Sequence, residues 1–250
     1  MTKDSYRDFA ERYDLFSGEF GEHKQSYRVF FQKVFIENDV RSVLDCACGT
    51  GHDLHLFYSL GCKVVGSDIS ASMLAKARKN LKSVNVGIPL HKIDYRALHK
   101  HFKRKFDAVV CLASSILQMS DKKEVIRAFL SMRRVLRDDG LLILTQGTTD
   151  KQWQKKPRFI LSSSSKECSR LFVIDYHDRG ARYNVVDILH GKQKPQLKVW
   201  CVDYDQMLLK DDYSKLLQLA GYRKIRFYGS YNFEPYSKKE SDLLICVAYK

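Results

Sequence analysis

The chain has 250 residues, of which 44% are hydrophobic and 29% charged, and its formal net charge is +14. This composition supplies enough apolar side chains for a core and excludes a disordered or low-complexity chain. There is no run of about 18 apolar residues and no apolar signal-peptide segment near the N-terminus, so we expect a cytoplasmic protein without a membrane partner.

The first predicted element is an N-terminal helical cap over residues 1–40, where aromatic residues recur. Tyr27, Phe30, Phe31, Val34 and Phe35 follow the spacing of one helix face. From residue 41 onward, short apolar runs alternate with helical patterns. These patterns predict strands at 42–46, 62–68, 88–94, 106–112 and 140–146, and helices at 53–60, 71–81, 95–102 and 122–137. Alternation of strand and helix is typical of βαβ units around a parallel sheet.

The pattern changes after Gln146. Strands without intervening helices are predicted at 158–163, 171–178, 181–190 and 196–207, followed by a helix at 211–220 and strands at 222–230 and 242–249. Residues 197–202 alternate in the period-2 manner of a half-buried strand. We therefore predict an α/β fold with a Rossmann-like, mostly parallel seven-stranded sheet and helices on both faces. Residues 41–147 and 208–250 would form this core, and residues 148–207 an antiparallel β insertion after the fifth strand that covers the acceptor pocket.

A glycine turn containing Gly49 and Gly51 follows the first predicted strand. Glycines let backbone N–H groups approach a ligand, and the next helix points its N-terminus at the turn. The dinucleotide fingerprint needs a third glycine where this chain has Leu54, and no Gly-Lys-Ser/Thr run follows as in a P-loop. Asp45 stands beside the turn, where its charge would repel a pyrophosphate but pair with an ammonium. The turn therefore favours S-adenosylmethionine, whose amino-acid head carries an ammonium.

Two further acids end the next two predicted strands, Asp68 the second and Asp94 the third. A carboxylate at the end of the second strand can accept hydrogen bonds from both hydroxyls of a ribose. Asp94 is placed to accept from an adenine amino group. One such acid is weak evidence, but three at one edge of a parallel sheet predict a single site for a nucleoside with an amino-acid head.

Four segments resemble the motifs of class I S-adenosylmethionine-dependent methyltransferases: residues 44–51 (LDCACGTG), 68–74 (DISASML), 106–112 (FDAVVCL) and 136–142 (LRDDGLL). Within that class the chain is similar to the glycine and sarcosine N-methyltransferase group. The resemblance implies S-adenosyl-L-methionine as cofactor and S-adenosyl-L-homocysteine as product.

The resemblance also implies which residues bind the cofactor. Asp45, Ala47 and Gly49 would line its methionine moiety, Asp68, Ile69 and Met73 its ribose and adenine, Asp94 and Tyr95 the adenine, and Leu112 would lie under the donor. Tyr13 and His23 would cover the cofactor from the N-terminal segment. His23 stands where the group has an arginine that pairs with the cofactor carboxylate.

Methyl transfer from a sulfonium is an in-line displacement on a donor that is already activated. The main requirement is therefore to hold the acceptor close to the methyl group in a dry pocket, and no strong base is needed. On this basis the catalytic residue stays unassigned. The candidates on the pocket side are Tyr6, Tyr13, Ser114, Gln146 and Tyr183. No metal site is predicted, because no Cys-x-x-Cys pair occurs and the histidines do not form a ligand set with spaced acids.

The predicted acceptor pocket departs from the resemblance. Where that group's fifth strand ends in an Arg-Asn-Tyr-Asp run, with the arginine clamping the acceptor carboxylate, residues 147–150 read Gly-Thr-Thr-Asp, and Ser114 replaces an asparagine. We therefore expect a small-molecule acceptor other than glycine, methylated on nitrogen or oxygen and carrying an apolar or aromatic body. Lys155, Lys156 or Arg158 are the side chains that could replace the missing charge.

Two other function classes stay open. The basic surface, including residues 99–105, would suit an RNA (tRNA or rRNA) methyltransferase. Against it, residues 112–116 read LASSI rather than an Asn/Asp-Pro-Pro-aromatic run, and no proline precedes Cys111. A cofactor-binding protein without catalytic activity is the third class. The sequence does not predict an oligomeric state.

Overall fold

A computed structural model describes residues 4–16, 19–191 and 194–250. Within them the helices are α1 (Ala10–Tyr13), α2 (Gln25–Glu37), α3 (His52–Ser59), α4 (Ala71–Ser83), α5 (Leu98–His101), α6 (Lys122–Val135), α7 (Asp150–Lys155) and α8 (Lys210–Leu219). The strands are β1 (Ser42–Asp45), β2 (Lys63–Asp68), β3 (Leu90–Lys92), β4 (Phe106–Cys111), β5 (Leu136–Gln146), β6 (Phe159–Ser164), β7 (Cys168–Tyr176), β8 (Ala181–Leu189), β9 (Gln196–Tyr204), β10 (Arg223–Tyr228) and β11 (Leu244–Tyr249).

The larger sheet has seven strands in the order β10-β11-β5-β4-β1-β2-β3. Strands β1 to β5 are parallel, whereas β11 runs antiparallel to both β5 and β10. The central strands are buried on both faces, which explains why they read as continuous apolar runs. The predicted fold class, a mostly parallel seven-stranded sheet with helices on both faces, is confirmed.

Two apolar clusters fill the space between this sheet and its helices. One contains α6 and α8 residues such as Phe129 and Tyr213. The other contains Phe30 and Phe31 of α2, which pack with Phe57 of α3. Because both faces of the sheet are covered, the edge formed by the carboxyl ends of its parallel strands is the natural place for a ligand site.

Strands β6 to β9 form a separate antiparallel four-stranded sheet. Its inner face carries buried side chains such as Ile174 and Val185, whereas Phe159, Leu161, Leu197 and Val199 are exposed. The predicted antiparallel insertion after the fifth strand is therefore present as a second layer.

Several element boundaries differ from the predictions. The segment predicted as a helical cap contains two separate helices, α1 and α2, with a 3₁₀ helix at Asp14–Phe16 directly after α1. Helix α6 ends at Val135 because β5 already begins at Leu136, which pairs with Phe106. Helix α7 lies inside the insertion, where the sequence predicted only strands. None of the described helices is long and apolar enough to cross a membrane.

Candidate functional site

Two of the predicted acids meet at the carboxyl edge of the sheet, on either side of the glycine turn. Asp45 ends β1, is only 1% exposed, and accepts a hydrogen bond from the N–H of Ala47 at 3.1 Å. Asp68 ends β2 and accepts from the N–H of Gly49 at 2.9 Å and from that of Ser70 at 2.8 Å. Asp68 therefore ties the glycine turn to the second strand, and each of its oxygens still has a lone pair for a ligand.

A third acid, Asp53, belongs to the same site. It lies in the first turn of α3 and accepts a hydrogen bond from the hydroxyl of Tyr27 at 2.6 Å. Burial and the charge of Asp53 raise the pKa of Asp45 well above its ordinary value. Burial also raises the pKa of Asp53, although the Tyr27 hydroxyl opposes this. Asp53 was not singled out from the sequence, because an acid in a helix's first turn is usually only a favourable partner of the helix dipole.

These three carboxylates have no basic partner among the residues that the structure describes. Among the described residues, no Lys, Arg or His nitrogen forms an ion pair with Asp45, Asp53 or Asp68. Burial raises the pKa of Asp68 as well, against the backbone N–H groups that bind it. Buried charges in proteins are normally paired. The site therefore suits a ligand that brings its own positive charge, as the ammonium and sulfonium of S-adenosylmethionine would.

Asp94 and Tyr95, predicted to contact an adenine, have partners within the chain. Both oxygens of Asp94 accept from Nε of Arg96 at 3.0 Å, and Arg96 also pairs with Glu124. Burial would raise the pKa of Asp94, but the Arg96 hydrogen bonds outweigh it and the pKa is lowered. The Tyr95 hydroxyl donates to the carbonyl of Ser115 at 3.1 Å. Any adenine contact of Asp94 would therefore be shared with Arg96, and the role predicted for Asp94 stays a prediction.

The apolar residues predicted at the cofactor site differ in their exposure. Ile69 is 56% exposed beside Asp68, so it offers an apolar surface next to the acid. Met73 and Leu112 are buried, and Leu112 belongs to the core cluster on one face of the sheet. Ala47 is partly buried against the opposite cluster. Of these residues, Ile69 is the one whose side chain is open to a ligand.

The N-terminal segment, residues 4–16, covers this edge and is held by contacts on two sides. Asp4 accepts from the Ser70 hydroxyl at 2.8 Å and the Ser72 N–H at 2.9 Å, at the start of α4. On the other side, the Trp200 indole N–H donates to the Ser5 carbonyl at 2.8 Å. The Phe9 ring stacks on Trp200 with 4.4 Å between centroids. The segment therefore bridges the four-stranded sheet and the carboxyl edge of the seven-stranded sheet. We call this carboxyl edge, with Asp45, Asp53 and Asp68, the donor edge.

A buried ion cluster reinforces this bridge. Arg170 of β7 donates to both oxygens of Asp187 in β8, and its guanidinium also donates to the Arg12 carbonyl at 2.8 Å. The Arg12 side chain pairs with the same Asp187. Two guanidiniums thus share one carboxylate, which leaves the cluster with a net positive charge.

The N-terminal segment, the four-stranded sheet and the ends of β4 and β5 enclose a cavity of about 680 Å³. Four of the five catalytic candidates lie on its walls: Tyr6, Tyr13, Ser114 and Tyr183. Further aromatic walls come from Phe9, Phe172, Trp200 and Tyr204. Burial raises the pKa of Tyr13 and of Tyr183 to about 12, so both phenols are protonated at neutral pH.

Gln146, the fifth candidate, is not on the cavity wall. Its amide donates to the carbonyls of Thr148 and Leu208, and its carbonyl oxygen accepts from the hydroxyl of Tyr213. Its side chain is buried among these partners. This corrects its placement on the pocket side: Gln146 joins β5 to the segment before α8.

A polar group on the cavity wall surrounds the Tyr183 hydroxyl. The Thr148 hydroxyl lies 2.7 Å from it, and the Gln152 amide donates to it at 3.0 Å. Thr148 and Gln152 were not singled out from the sequence, because the short helix α7 that positions Gln152 was not predicted. The sequence does contain one signal for α7, a threonine at its N-cap: the Thr149 hydroxyl accepts from the Gln152 N–H.

Ser114 occupies a strained turn at the end of β4. Ala113 and Ser114 have φ values of 53° and 64°, in the left-handed region that non-glycine residues seldom adopt. Hydrogen bonds from both backbone N–H groups to Thr145 hold the turn, and the Ser114 hydroxyl accepts from the Gly147 N–H at 3.1 Å. Strain of this kind clusters at functional sites.

The three basic residues considered as replacements for the missing arginine lie in different places. Lys155 lines the cavity, with its side chain exposed at the rim. Lys156 lies over the Trp153 ring at 5.1 Å, and Arg158 pairs with Asp175 at 3.5 Å. Only Lys155 is therefore placed to meet a ligand in the cavity.

His23, predicted to cover the cofactor, lies beside the donor edge. Its ring stacks on Tyr27 with 5.6 Å between centroids and lies 6.2 Å from the ring of His52. Tyr27 in turn binds Asp53. The structure therefore brings His23 close to the acids of the site.

Comparison with known proteins gives consistent results. A family model described as a methyltransferase domain matches residues 43–140. The glycine/sarcosine N-methyltransferase of Aphanothece halophytica is 29% identical over 228 residues, covering 88% of this chain and 80% of that protein. The protein of the same name from Parasynechococcus marenigrum is 32% identical over 145 residues, covering 58% of this chain and 51% of that protein. Among solved structures, an S-adenosylmethionine-dependent methyltransferase from Clostridium acetobutylicum superimposes with a TM-score of 0.79 at 17% identity, covering 98% of each chain.

Proposed function

We propose that the chain is a class I S-adenosylmethionine-dependent methyltransferase that methylates a nitrogen or oxygen of a small molecule larger than glycine. The observation that carries the proposal is the cavity of about 680 Å³ with aromatic walls beside the donor edge. Cavities of this size suit ligands with an apolar body and few polar groups.

The cavity supports an acceptor other than glycine. A site for glycine or sarcosine needs a cation to bind the carboxylate of the acceptor. A planar guanidinium is well suited, because it binds a carboxylate through two charge-assisted hydrogen bonds. Position 147 is a glycine, and the Arg170 guanidinium on the wall is already engaged with Asp187. Lys155 supplies one exposed charge at the rim. An acceptor with an apolar or aromatic body fits these walls better than a small amino acid does.

The ionisable groups on the walls favour an acceptor that is not positively charged. Among the described lining residues there is no histidine or glutamate, and the one aspartate, Asp242, pairs with Lys151 at 2.8 Å. The phenols of Tyr13 and Tyr183 have pKa values raised by burial and are poor bases. Arg170 and Lys155 add positive charge. The acceptor would therefore enter as a neutral amine or a hydroxyl.

In the proposed reaction the chain's residues bind, orient and exclude water. S-Adenosylmethionine, when bound, supplies an activated methyl group. Asp68 accepts from its ribose hydroxyls, and Asp45 and Asp53 balance its positive charge. The N-terminal segment closes the site through Phe9 and Trp200. On the acceptor side, the hydroxyls of Tyr183 and Ser114 fix the acceptor's polar group by hydrogen bonding, since orienting the reactants is the main contribution in such a displacement.

The test is a turnover screen with donor labelled in its methyl group. The panel would contain aromatic amines, amino sugars and phenols, with glycine and sarcosine as the comparison. We expect turnover with at least one of the larger acceptors, and a kcat/KM for glycine and sarcosine at least about a hundredfold lower. Efficient methylation of glycine or sarcosine would overturn the choice of acceptor.

The alternative, an RNA methyltransferase, has one supporting observation. Basic residues from β3, the end of α5 and the segment after it line a second groove: His91, Lys92, His101, Lys103 and Arg104. This groove and the cavity share no lining residue. Adding tRNA to the screen separates the two functions, because an RNA acceptor would bind with a steep salt dependence and a small molecule would not.

A further inference from the structure

The outer face of the four-stranded sheet, which points away from the acceptor cavity, is largely apolar. Successive side chains of a strand point to opposite faces, so the neighbours of the cavity-lining residues point outward. On the edge strands β6 and β9, four outward side chains are between 53% and 66% exposed: Phe159, Leu161, Leu197 and Val199. On the central strands β7 and β8, four more are partly buried: Leu171, Val173, Val186 and Ile188.

The register of the strands joins these side chains into one patch, which we call the apolar patch. Four directly paired residues cross the whole sheet in a single row: Leu161, Leu171, Val186 and Val199. An apolar pair flanks this row on each side: Phe159 with Val173, and Ile188 with Leu197. Contiguous exposed apolar surface of this kind is typical of an interaction site, whereas single exposed apolar residues are ordinary.

The edges of the four-stranded sheet are less suited to a partner than its outer face. In β6 the pairing register shifts between Leu161 and Ser163. The other edge strand, β9, carries the exposed Lys198. Irregular pairing and lysines on an edge strand both discourage the addition of a strand from another chain. A partner would therefore meet this sheet through the side chains of its face.

A row of exposed charged residues borders the apolar patch and alternates in sign. Arg158, directly before β6, lies 3.5 Å from Asp175 of β7. Asp175 is paired in the ladder with Arg182 of β8, which donates to Asp203 of β9 at 2.7 Å. Across the sheet the order is therefore positive, negative, positive, negative. These four charges cancel, although the chain as a whole has a formal net charge of +14.

The occupant that fits both the apolar patch and the charged row is a second copy of the chain. Two copies with a net charge of +14 repel each other, so a face whose own charges cancel is where they can approach. Two-fold symmetry is the usual way in which one surface meets itself. We propose that the chain forms a two-fold dimer in which the outer faces of the two four-stranded sheets pack against each other.

The charged row selects the direction of the two-fold axis. An axis parallel to the strands would place β6 opposite β9 of the second copy, and β7 opposite β8. Asp175 would then face Arg182 of the second copy, and Arg158 would face Asp203. The apolar rows would meet each other at the same time. An axis across the strands would instead move the charged row away from its counterpart, so the parallel axis makes both surfaces complementary.

The face is large enough for such a dimer. Strands β7, β8 and β9 have nine residues each, so the face is about 30 Å long and, with four strands, about 15–20 Å wide. The side chains that stand on it raise its accessible area toward the roughly 800 Å² that each partner contributes to a specific interface. Two such faces would pack about 10 Å apart, as the layers of a β-sandwich do.

This interface leaves the acceptor cavity to the inner face of the same sheet. Inward side chains of all four strands line the cavity, among them Ile160, Phe172, Val185 and Trp200. Each of these is next in sequence to a residue of the apolar patch. The second copy would therefore support the cavity wall from behind without entering it, and the proposed dimer does not depend on the identity of donor or acceptor.

The experiment is sedimentation equilibrium of the whole chain over a range of micromolar concentrations. We expect the wild type to sediment with twice the mass of one chain. Leu161→Glu and Val199→Glu should each weaken the dimer at least about a hundredfold, because two unpaired carboxylates would then be buried in each dimer. Both positions are more than half exposed, so the separated chains should keep the wild-type circular dichroism spectrum.

The matched control is Leu219→Glu. Leu219 lies on α8 and is 71% exposed. The substitution makes the same change in net charge outside the apolar patch, and it should leave the dimer intact. All three glutamates lower the positive charge of the chain, so a dimer lost only in Leu161→Glu and Val199→Glu cannot be explained by general repulsion between copies.

Exchange of two charges tests the direction of the axis. Arg182→Asp would set carboxylates against each other at two places in the dimer and should weaken it about tenfold or more. Adding Asp175→Arg to this variant restores opposite charges across the interface and should recover the dimer. The same double exchange places like charges side by side within each sheet, so an effect on the single chain alone would not be rescued.

The outcomes decide the proposal independently of the methyl donor. A wild type that sediments as a single chain throughout this range would overturn it, whatever else binds the outer face. A dimer that survives both glutamate substitutions in the apolar patch would show that the copies meet elsewhere. A double exchange that fails to recover the dimer would refute the two-fold arrangement.

Discussion

Replacing Asp45 by Asn should stabilise the free protein while weakening donor binding. Burial and the neighbouring Asp53 raise the pKa of Asp45 well above its ordinary 3.8. A carboxyl with a raised folded-state pKa binds its proton more tightly in the folded protein than in the unfolded chain. Stability is therefore greatest below the unfolded-state pKa and is lost as pH rises through the folded-state value. Each unit between the two values costs the folded state about 1.4 kcal/mol at higher pH.

The Asp45→Asn substitution removes this loss of folding stability and keeps the local geometry. An asparagine retains the oxygen that accepts from the Ala47 N–H at 3.1 Å, without the charge. At pH 7 we expect a gain of at least about 1 kcal/mol, which for a chain of this size raises Tm by about 2–4 °C. Near pH 4 the gain should shrink, because the carboxyl is then protonated in the folded state. Donor affinity should fall about 10- to 150-fold, since a hydrogen bond to a charged group contributes about 1.5–3 kcal/mol.

Thermal scans across this pH range and calorimetric titration of the donor measure both effects. Asp107→Asn is the control, because Asp107 lies at the opposite edge of the sheet. It accepts from the N–H groups of Arg41 and Ser42 at 2.9 Å and 2.8 Å, and it pairs with Arg137 at 3.1 Å. The control should lower Tm and leave donor affinity unchanged. An Asp45→Asn protein that melts below wild type at pH 7, or that binds the donor equally well, would refute the reasoning.

Three further substitutions test other parts of the site. Asp68→Asn should weaken donor binding about 10- to 100-fold by calorimetry. Its effect on a donor analogue that lacks both ribose hydroxyls should be much smaller. Equal losses of affinity for the two ligands would mean that the substitution had only disturbed the glycine turn. Gly66→Ala should lower stability by about 1–3 kcal/mol in denaturant titrations, because the new Cβ would lie 2.7 Å from side-chain carbons of both Leu54 and Leu90. Tyr183→Phe should reduce kcat about tenfold or more and leave donor affinity unchanged. An unaltered kcat would show that the Tyr183 hydroxyl does not bind the acceptor.

The parallel part of the fold could be predicted because local and long-range signals agree there. The central strands are apolar throughout, and each is followed by a helical pattern and a turn. The carboxyl ends of such strands meet at one edge whatever the details of packing, which is why Asp45 and Asp68 could be placed together from sequence. The same reasoning placed Asp94 at that edge but could not show that Arg96 occupies its carboxylate. The conformation of one half-buried side chain decides that contact.

The acceptor cavity could be predicted only in outline. An antiparallel insertion was expected from its period-2 pattern, but its walls depend on contacts between distant parts of the chain, such as Phe9 with Trp200 and Arg12 with Asp187. No local pattern encodes these pairs. The roles of Thr148 and Gln152 depend on α7, a helix of only six residues whose signal is a single capping threonine.

The division of the site between fold elements would allow the acceptor to differ from that of similar proteins while the donor stays the same. The donor edge is built from strand ends and the turns directly after them, so its acids are fixed by the parallel sheet itself. Most of the acceptor wall comes from the four-stranded sheet, α7 and the N-terminal segment. Substitutions there would alter the cavity without disturbing the hydrogen bonds that hold Asp68 and the glycine turn. Because loops and insertions carry specificity on a rigid scaffold, we expect acceptor choice to follow the residues of this wall and donor choice to follow the strand ends.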